Sequence, residues 1–480
     1  MLTRRRRGHP ACKTVELRDS PPTKVTIVPE GTLAPFPVAP PAVRRRPDLF
    51  TGALAFIGAH VVLGLVGSQV PLAASLHGVL TAIVAVAVAF TSPRIDRIVA
   101  VAGYCALCDV FWRMTKSIMP WEGAKYLSML VLLIAFFRFV KRPMRIQAPV
   151  LYLVLLVPGC AISLVVLGPV VARDQISLNI AGPVLLGVGV IVLRQLVGTE
   201  REISLVFWAM LGPVAATAAA ATRSTVASDA LNFTTGSNFQ TSGGFGPNQV
   251  STVLGLGALV CILLCLTRVS TKLLLVQIGL GAWFAGQAAL TFSRGGLYSL
   301  GLGAVTIVVV SVATKGARTR VVAGIIIGAL VVVALYPALN DFTGNALEAR
   351  FEKGGSSGRD KIANADLDLF VQSPLFGVGV GVAKTERANT ATAFDIEAKA
   401  HTEWTRLLGE HGILGLVAAI ALLVMAAQGV RRSTVRWNRT FAAACAVWSL
   451  VTMAHSATSV AAISFVFALS QLRLTHAEPT

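Results

Sequence analysis

The sequence predicts an all-α polytopic membrane protein with about 12–14 transmembrane helices and a large extracytoplasmic loop that carries short helices. Of its 480 residues, 54% are hydrophobic and only 14% are charged, and the mean hydropathy is +0.70. Soluble domains carry about 25% charged residues, so these charges are too few to cover a globular surface. The apolar residues also form runs of roughly 17–23, the length with which a helix crosses about 30 Å of hydrocarbon. Because these runs do not alternate with polar residues, they favour helices over a β-barrel.

The chain divides into a polar N-terminal tail, a transmembrane domain and a short C-terminal tail. Residues 1–48 are rich in proline and arginine and lack the apolar core of a signal peptide, which predicts a disordered, basic cytoplasmic tail. The transmembrane domain covers 49–472, and 473–480 form a second cytoplasmic tail. The predicted spans are 50–67, 71–90, 95–112, 124–140, 149–171, 178–196, 203–221, 248–267, 272–292, 296–313, 320–337, 404–427, 440–454 and 457–472. The last two could instead be one segment interrupted at His455 and Ser456.

Basic residues between the spans predict how the chain is oriented. With the N-terminus inside, every second connection should be cytoplasmic and rich in lysine and arginine. These connections contain Arg94 and Arg97, then Arg138, Lys141, Arg142 and Arg145, then Arg201, then Arg268 and Lys272, then Lys315, Arg318 and Arg320, and finally Arg431, Arg432, Arg436 and Arg439. The intervening connections are poorer in basic residues. We therefore expect a multi-pass protein of the cell membrane with both termini in the cytoplasm. The net charge of +19 then reflects topology, and no nucleic-acid partner is expected.

Two long polar connections and one arginine fall on the predicted outer side. The connections are 222–247 and 338–403, and long loops carry function more often than short ones. Arg294 lies between the ninth and tenth spans. It is either an interfacial arginine that reaches for water or an anion clamp, because a guanidinium offers fixed bidentate donors to phosphate. Gly295 and Gly296 would let a ligand approach the backbone closely.

The larger outer connection contains three further features. Arg359 and Lys361 follow a run of glycine and serine. Residues 359–371 place apolar side chains on one face, which predicts an amphipathic helix at the membrane interface. The GVGVG run at 377–381 is either a phosphate-binding loop or a glycine-rich turn.

His401 precedes the twelfth predicted span, with Glu403 and Arg406 within one helical turn. It is either a polar cap at the membrane surface or a general base, since a histidine pKa lies near neutrality. His411 is expected to be structural. No cluster of histidine and acidic residues has the spacing of metal ligands, so neither a metal nor a cofactor is expected.

Several short motifs occur in an order that resembles a known family. They are GFGPNQ at 244–249, SRGG at 293–296, GRDKI at 358–362, PLFGVGVG at 374–381, a histidine at 401 and GEHGILGL at 409–416. This order resembles the O-antigen ligase and polysaccharide polymerase family over about residues 240–430. The sequence departs from the family at Thr402, where asparagine is frequent, and at Ala363 and Asn364, near which the family often has tryptophan.

The resemblance implies metal-independent glycosyl transfer outside the cytoplasmic membrane. The implied donor is a glycan on undecaprenyl pyrophosphate, and the acceptor is a sugar hydroxyl of another glycan or of a lipid. Arg294 and Arg359 would hold the pyrophosphate, and His401 would activate the acceptor. We expect Asn248, Lys361, Glu403 and Arg406 to contact substrate as well.

Alternative functions remain open at this stage. A flippase or exporter of the same lipid-linked glycan is disfavoured, because charged residues avoid the span centres and no internal repeat is evident. A protein O-oligosaccharyltransferase of the same superfamily and a membrane scaffold are the other candidates. The sugar, the linkage, the acceptor, the oligomeric state and the choice between polymerase and ligase are not determined by the sequence.

Overall fold

The computed structural model describes residues 49–141, 146–227, 233–234, 236–267, 270–312, 318–352, 359–390, 401–433 and 435–475. The predicted N-terminal tail and residues 476–480 of the predicted C-terminal tail lie outside this part.

Besides one short 3-10 helix (Gln240–Ser242), the described part of the chain contains sixteen α-helices and two short strands. In order they are α1 (Leu49–Gly67), α2 (Pro71–Thr91), α3 (Ile95–Met114), α4 (Gly123–Phe139), α5 (Gln147–Leu193), β1 (Val197–Thr199), α6 (Glu200–Val226), α7 (Pro247–Cys265), α8 (Thr271–Leu290), α9 (Arg294–Val312), α10 (Arg318–Phe342), α11 (Ala346–Glu352), α12 (Arg359–Gln372), α13 (Ala383–Thr390), α14 (Glu403–Arg432), α15 (Arg436–Ser456), α16 (Ala461–Leu469) and β2 (Arg473–Thr475). Each predicted span coincides with a helix, and α5 covers the fifth and sixth spans.

Nine helices within the described residues are long and apolar enough to cross a membrane. The prediction of an all-α polytopic membrane protein is therefore confirmed. Helices α6 and α7 bury most of their length inside the protein, whereas α1, α2 and the described side chains of α10 leave many apolar groups exposed. Exposed apolar surface of this extent is what a lipid-facing surface requires. The short helices predicted in the large outer connection are α11, α12 and α13.

Helix α5 is two membrane-length segments joined at a break. Its 47 residues would extend about 70 Å as a straight helix, more than twice the hydrocarbon thickness. Gly168 leaves the helical conformation with φ 74° and ψ 159°, and Pro169 follows it. A Cβ on Gly187 would lie 2.6 Å from the Leu153 side chain, so the two halves pack against each other. The turn thus falls at Gly168, and the predicted connection at 172–177 is wrong because those residues are helical.

The last two predicted spans are separate segments. Helix α15 ends at Ser456, and Ala457 adopts φ 47°, which breaks the chain direction. The returning segment starts at Thr458, which donates to Glu403, and reaches Gln471, whose Nε2 donates to Met425 O at 3.0 Å. Helix α16 within it has nine residues, all buried, so it lies inside the protein.

The strand pair closes the end of the bundle opposite to the site described below. Strands β1 and β2 pair in parallel, with Val197 opposite Arg473 and Thr199 opposite Thr475. The start of the predicted C-terminal tail, residues 473–475, is thus held against the connection between α5 and α6.

Candidate active site

A cavity of about 410 Å³ lies at one end of the bundle, here called the cavity end. Its walls are formed at five places where one helical segment ends and the next begins. The sequence predicts all five on the outer side of the membrane. The lining residues are Arg113, Trp121, Glu122, Gln175, Leu178, Asn179, Phe239, Gly246, Pro247, Asn248, Gln249, Gly381, Lys384, Arg387, His401, Arg406, Glu410, Ser456, Ala457, Thr458 and Ser459. Three of the predicted site residues are among them: Asn248, His401 and Arg406.

His401 lies at the cavity just before α14. Thr402 caps that helix, since its Oγ1 accepts a hydrogen bond from Trp404 N at 3.3 Å. The pKa of His401 is lowered by burial, then by the positive charges of Arg359 and Arg387. A lowered pKa keeps the imidazole neutral at physiological pH, and a neutral imidazole nitrogen can accept a proton.

Arg359 is anchored beside the cavity by Asn248. Arg359 Nη2 donates to Asn248 Oδ1 at 2.9 Å, and Ser293 Oγ donates to the same oxygen at 2.6 Å. Asn248 lies in the first turn of α7, and Arg359 is the first residue of α12. This single amide therefore fixes a guanidinium from a distant helix at the edge of the cavity.

Three arginines form a cationic cluster next to the cavity. The pKa of Arg359 is lowered by burial, then by Arg294 and Arg350, and the pKa of Arg350 is lowered by burial and then by Arg294. Arg350 Nε also donates to Phe292 O at 3.1 Å. None of these three arginines lines the cavity, but Arg294 and Arg350 lie within electrostatic reach of Arg359, which is anchored to the lining residue Asn248. Sequence reasoning missed Arg350, although it is one of few arginines in the large outer connection.

The cluster is positioned by close contact between α7 and α9. A Cβ on Gly296 would lie 2.2 Å from Ser251 O, and one on Gly255 would lie 2.5 Å from Gly296 O. A Cβ on Gly295 would likewise lie 2.3 Å from Nδ1 of the His455 ring. The expectation that Gly295 and Gly296 admit a ligand is wrong, because neighbouring helices occupy the space above both residues.

Arg406 lines the cavity, and its charge is paired within the protein. Its Nη2 lies 2.6 Å from Glu403 Oε1, and its Nη1 lies 2.7 Å from Glu410 Oε2. All three side chains are buried. Glu403 also accepts from Thr458 N at 3.1 Å, which ties α14 to the segment after α15. Substrate contact by Glu403 and Arg406 stays a prediction. The structure shows in addition that Glu403, paired with Arg406, links α14 to the segment after α15.

Lys361 is exposed and does not line the cavity. It lies two residues after Arg359 on α12. The amphipathic helix predicted at 359–371 is confirmed as α12, which buries Leu369 as predicted and also Asp366. Asp366 forms an ion pair with Arg387 and accepts from Thr405 Oγ1 at 2.9 Å.

The GVGVG run is a turn whose amides are used inside the protein. Gly377, Gly379 and Gly381 all have positive φ. The amides of residues 377–381 donate, in order, to Ser373 O, Gly409 O, Glu410 O, Gly159 O and Glu410 Oε1. None of these donors remains for a phosphate, so the turn interpretation is correct. The run is hydrogen-bonded to residues 409 and 410 of α14, next to Gly412, which interrupts that helix with φ 61° and ψ −139°.

Sequence reasoning missed a second buried ion cluster in the cavity wall. Arg113 Nη2 lies 2.9 Å from Asp109 and 3.4 Å from Glu122, and Lys125 Nζ lies 2.5 Å from Glu122. Arg113 Nη1 also donates to Ser459 O at 3.1 Å. A signal was present, because Arg113 ends a predicted span on the side where basic residues are scarce, and a charge there is expensive unless it is paired or functional.

Within the described residues, no group of three or more histidine, cysteine, aspartate or glutamate side chains could hold a metal ion.

Comparison with known proteins identifies the segment that carries most of these groups. Residues 280–420 match the family model described as O-antigen ligase. The matched segment contains Arg294, Arg350, Arg359 and His401, and it lies within the range over which the motifs show the resemblance. No curated protein matches the chain. The match supports a function of the ligase or polymerase type, and residues 280–420 of this membrane protein are similar to O-antigen ligases.

Proposed function

We propose that the protein transfers a glycan from an undecaprenyl-pyrophosphate carrier to a sugar hydroxyl of a glycan or lipid acceptor. The observation that carries this proposal is the position of Asn248. It lines the same cavity as His401, and it holds Arg359 by a hydrogen bond of 2.9 Å. A neutral base in the cavity wall therefore lies within electrostatic reach of a guanidinium that is anchored beside the cavity.

The reaction needs both groups. The acceptor oxygen attacks the anomeric carbon, and the bond from that carbon to the pyrophosphate oxygen breaks. His401 takes the proton of the attacking hydroxyl, and the bonding electrons leave with the pyrophosphate. Because negative charge increases on the leaving oxygen, nearby guanidinium groups stabilise the transition state more than the bound donor.

Further positive charge favours an anionic ligand in the cavity. Lys384 lines it and has no hydrogen bond or ion pair with any other described residue. The cluster of Arg294, Arg350 and Arg359 lies beside it, where the mutual repulsion of three cations would be relieved by a bound pyrophosphate.

The predicted topology supports an extracytoplasmic reaction. Apart from the long connection 338–403, the connections that build the cavity contain at most two basic residues each, and the positive-inside rule assigns all of them to the outer side. A polyprenyl tail could then remain in the bilayer while its pyrophosphate enters the cavity. The match to the O-antigen ligase model is consistent with this arrangement.

The test is transfer by purified protein in lipid nanodiscs, with a lipid-linked repeat unit as donor and product size as the readout. Arg294→Ala, Arg359→Ala and His401→Ala should each abolish most transfer. Arg173→Ala is the matched control, because Arg173 is 79% exposed, lies near the Gly168 turn and does not line the cavity. Normal product from both Arg294→Ala and His401→Ala would overturn the proposal.

A further inference from the structure

Exposed aromatic side chains form part of the cavity wall. Trp121 and Phe239 line the cavity and are 47% and 60% exposed. The Phe245 ring does not line the cavity and lies 6.1 Å from the Trp121 ring, centroid to centroid, at an angle of 56°. Trp121 and Phe239 are here called the aromatic wall. Large aromatic groups usually bury most of their surface, so exposure inside a cavity indicates a surface that a ligand covers.

Trp121 is held firmly in place. The guanidinium carbon of Arg113 lies 4.7 Å from the ring centroid, and Arg113 Nε donates to Trp121 O at 2.9 Å. Arg113 is itself fixed by Asp109 and Glu122. Arg113, a member of the buried ion cluster, therefore holds Trp121 in two ways: it hydrogen-bonds the backbone carbonyl and covers one face of the indole ring. A side chain positioned in advance loses little entropy when a ligand binds.

Three amide side chains line the cavity with this wall, and each has hydrogen-bonding groups to spare. Gln249 accepts from Arg113 through Oε1, and Asn179 donates to Gln175 O through Nδ2. No other described residue bonds to Gln249 Nε2, Asn179 Oδ1 or the side-chain amide of Gln175. Primary amides offer both donors and acceptors, which suits hydroxyl groups better than it suits an anion.

We propose that the aromatic wall and these three amides bind the sugar ring of the acceptor. A pyranose has an apolar face of C–H groups and a rim of hydroxyls. The C–H face can pack against an indole ring, and the hydroxyls can exchange hydrogen bonds with amide side chains. A lipid chain would leave three amides without partners, and the pyrophosphate of the donor has cations elsewhere in the site. This inference rests on the proposed function, since it places the acceptor at the aromatic wall, away from the arginine cluster proposed to hold the donor pyrophosphate.

The test compares Trp121→Leu with Trp121→Phe in the nanodisc transfer assay. Leucine keeps an apolar side chain but removes the aromatic face, whereas phenylalanine keeps a smaller face. We expect Trp121→Leu to raise the KM for acceptor about 10-fold, corresponding to ~1.4 kcal/mol, with the KM for donor unchanged. Trp121→Phe should fall between Trp121→Leu and the wild type.

Phe376→Leu is the matched control, because Phe376 is 52% exposed in the large outer connection and does not line the cavity. An unchanged acceptor KM in Trp121→Leu would overturn the inference. An equal rise in Phe376→Leu would overturn it as well, since it would indicate aromatic anchoring in the membrane interface.

A binding measurement separates failure of this inference from failure of the proposed function. The probe is the repeat-unit oligosaccharide released from its lipid carrier by mild acid, observed by saturation-transfer NMR with the His401→Ala protein. Binding that is lost in the His401→Ala/Trp121→Leu protein supports the subsite even if the wild type transfers nothing. Equal binding to both proteins overturns it even if the wild type is active.

Discussion

Asn248 Oδ1 accepts a hydrogen bond from Arg359 Nη2 at 2.9 Å, joining two residues 111 positions apart. The next residue, Gln249, accepts from Arg113 Nη1 at 3.4 Å. The first turn of α7 thus holds two arginines through neighbouring side chains. Asn248 holds Arg359 of the cationic cluster, and Gln249 holds Arg113, which packs on Trp121. In the proposed reaction, these are the donor and acceptor sides of one cavity.

Asn248→Ala should lower kcat/KM for the donor about 10- to 100-fold. The substitution removes the acceptor that fixes Arg359, and a hydrogen bond to a charged group contributes roughly 1.5–3 kcal/mol. Ser293→Ala is the control, because it removes the second donor to the same oxygen but leaves the bond to Arg359. Steady-state kinetics with a lipid-linked donor would measure both. Equal losses in the two variants would contradict the anchoring role of Asn248.

His401→Ala should lower kcat about 10²- to 10⁴-fold, the range expected when a general base is lost. Donor binding should remain, because the guanidinium groups are unchanged. Single-turnover transfer measures the chemical step, and retention of a labelled lipid-linked donor by the purified variant measures binding. Loss of donor binding with an unchanged chemical step would assign His401 to the donor and contradict its role as base.

The pH dependence of transfer should follow the charge near His401. Burial and the positive charges of Arg359 and Arg387 lower the pKa of His401, so activity should persist below pH 6.5 and fall only as the imidazole becomes protonated. Replacing Arg387 by glutamine and its buried partner Asp366 by asparagine removes one of these charges without stranding a carboxylate. The pKa of His401 then rises, and the acidic limb of the kcat/KM profile should move to higher pH.

Arg173→Ala is the control for that profile, because it removes an exposed charge outside the cavity. The same displacement in both proteins would show that net surface charge moves the profile. A displacement to lower pH in the Asp366→Asn/Arg387→Gln protein would contradict the role given to Arg387.

Arg406→Ala should destabilise the protein by about 3–5 kcal/mol, because it leaves Glu403 and Glu410 buried without a counter-charge. Thermal unfolding in detergent would show this as a lower Tm. The triple variant Glu403→Gln/Arg406→Met/Glu410→Gln removes all three charges and should recover most of the lost stability. If Arg406 also contacts substrate, activity stays low in the triple variant. A triple variant no more stable than Arg406→Ala would contradict the ion-pair account.

Gly412→Ala should reduce the amount of folded protein, since this residue needs a left-handed backbone and its Cβ would lie 2.6 Å from Pro374 O. The break at Gly412 lets the 374–381 segment fit against α14. Gly301→Ala is the control, because Gly301 lies within α9 with nothing within 4 Å of its Cβ position. Equal yields of monodisperse protein from both variants would show that the break at Gly412 is dispensable.

Hydropathy and short motifs predicted the helices and the cationic residues well, because both depend on local patterns. Runs of apolar residues predicted the segments, and Arg294, Arg359 and His401 were found from their motifs and their predicted side of the membrane. Their roles in catalysis stay predictions. The break at Gly168 was displaced from its predicted position, because hydropathy does not register a single positive φ.

The cavity wall could not be predicted from local patterns. Arg113 contacts Gln249 and Ser459, which lie 136 and 346 positions away, and only tertiary structure brings such partners together. The ion pairs of Arg406 with Glu403 and Glu410 follow the local spacing of a helix, whereas the hydrogen bond from Gly381 N to Glu410 Oε1 joins residues 29 positions apart. The glycines of the turn at 377–381 resemble a phosphate-binding loop in sequence, but their amides are already bonded in the fold.

The ratio of undecaprenyl pyrophosphate released to glycosidic bonds formed tests the central claim most directly. Purified protein in nanodiscs, given lipid-linked repeat units, should release one carrier pyrophosphate for each bond formed, and His401→Ala should produce neither. Movement of intact lipid-linked glycan across a liposome membrane, with no carrier released and no bond formed, would contradict glycosyl transfer and indicate a transporter.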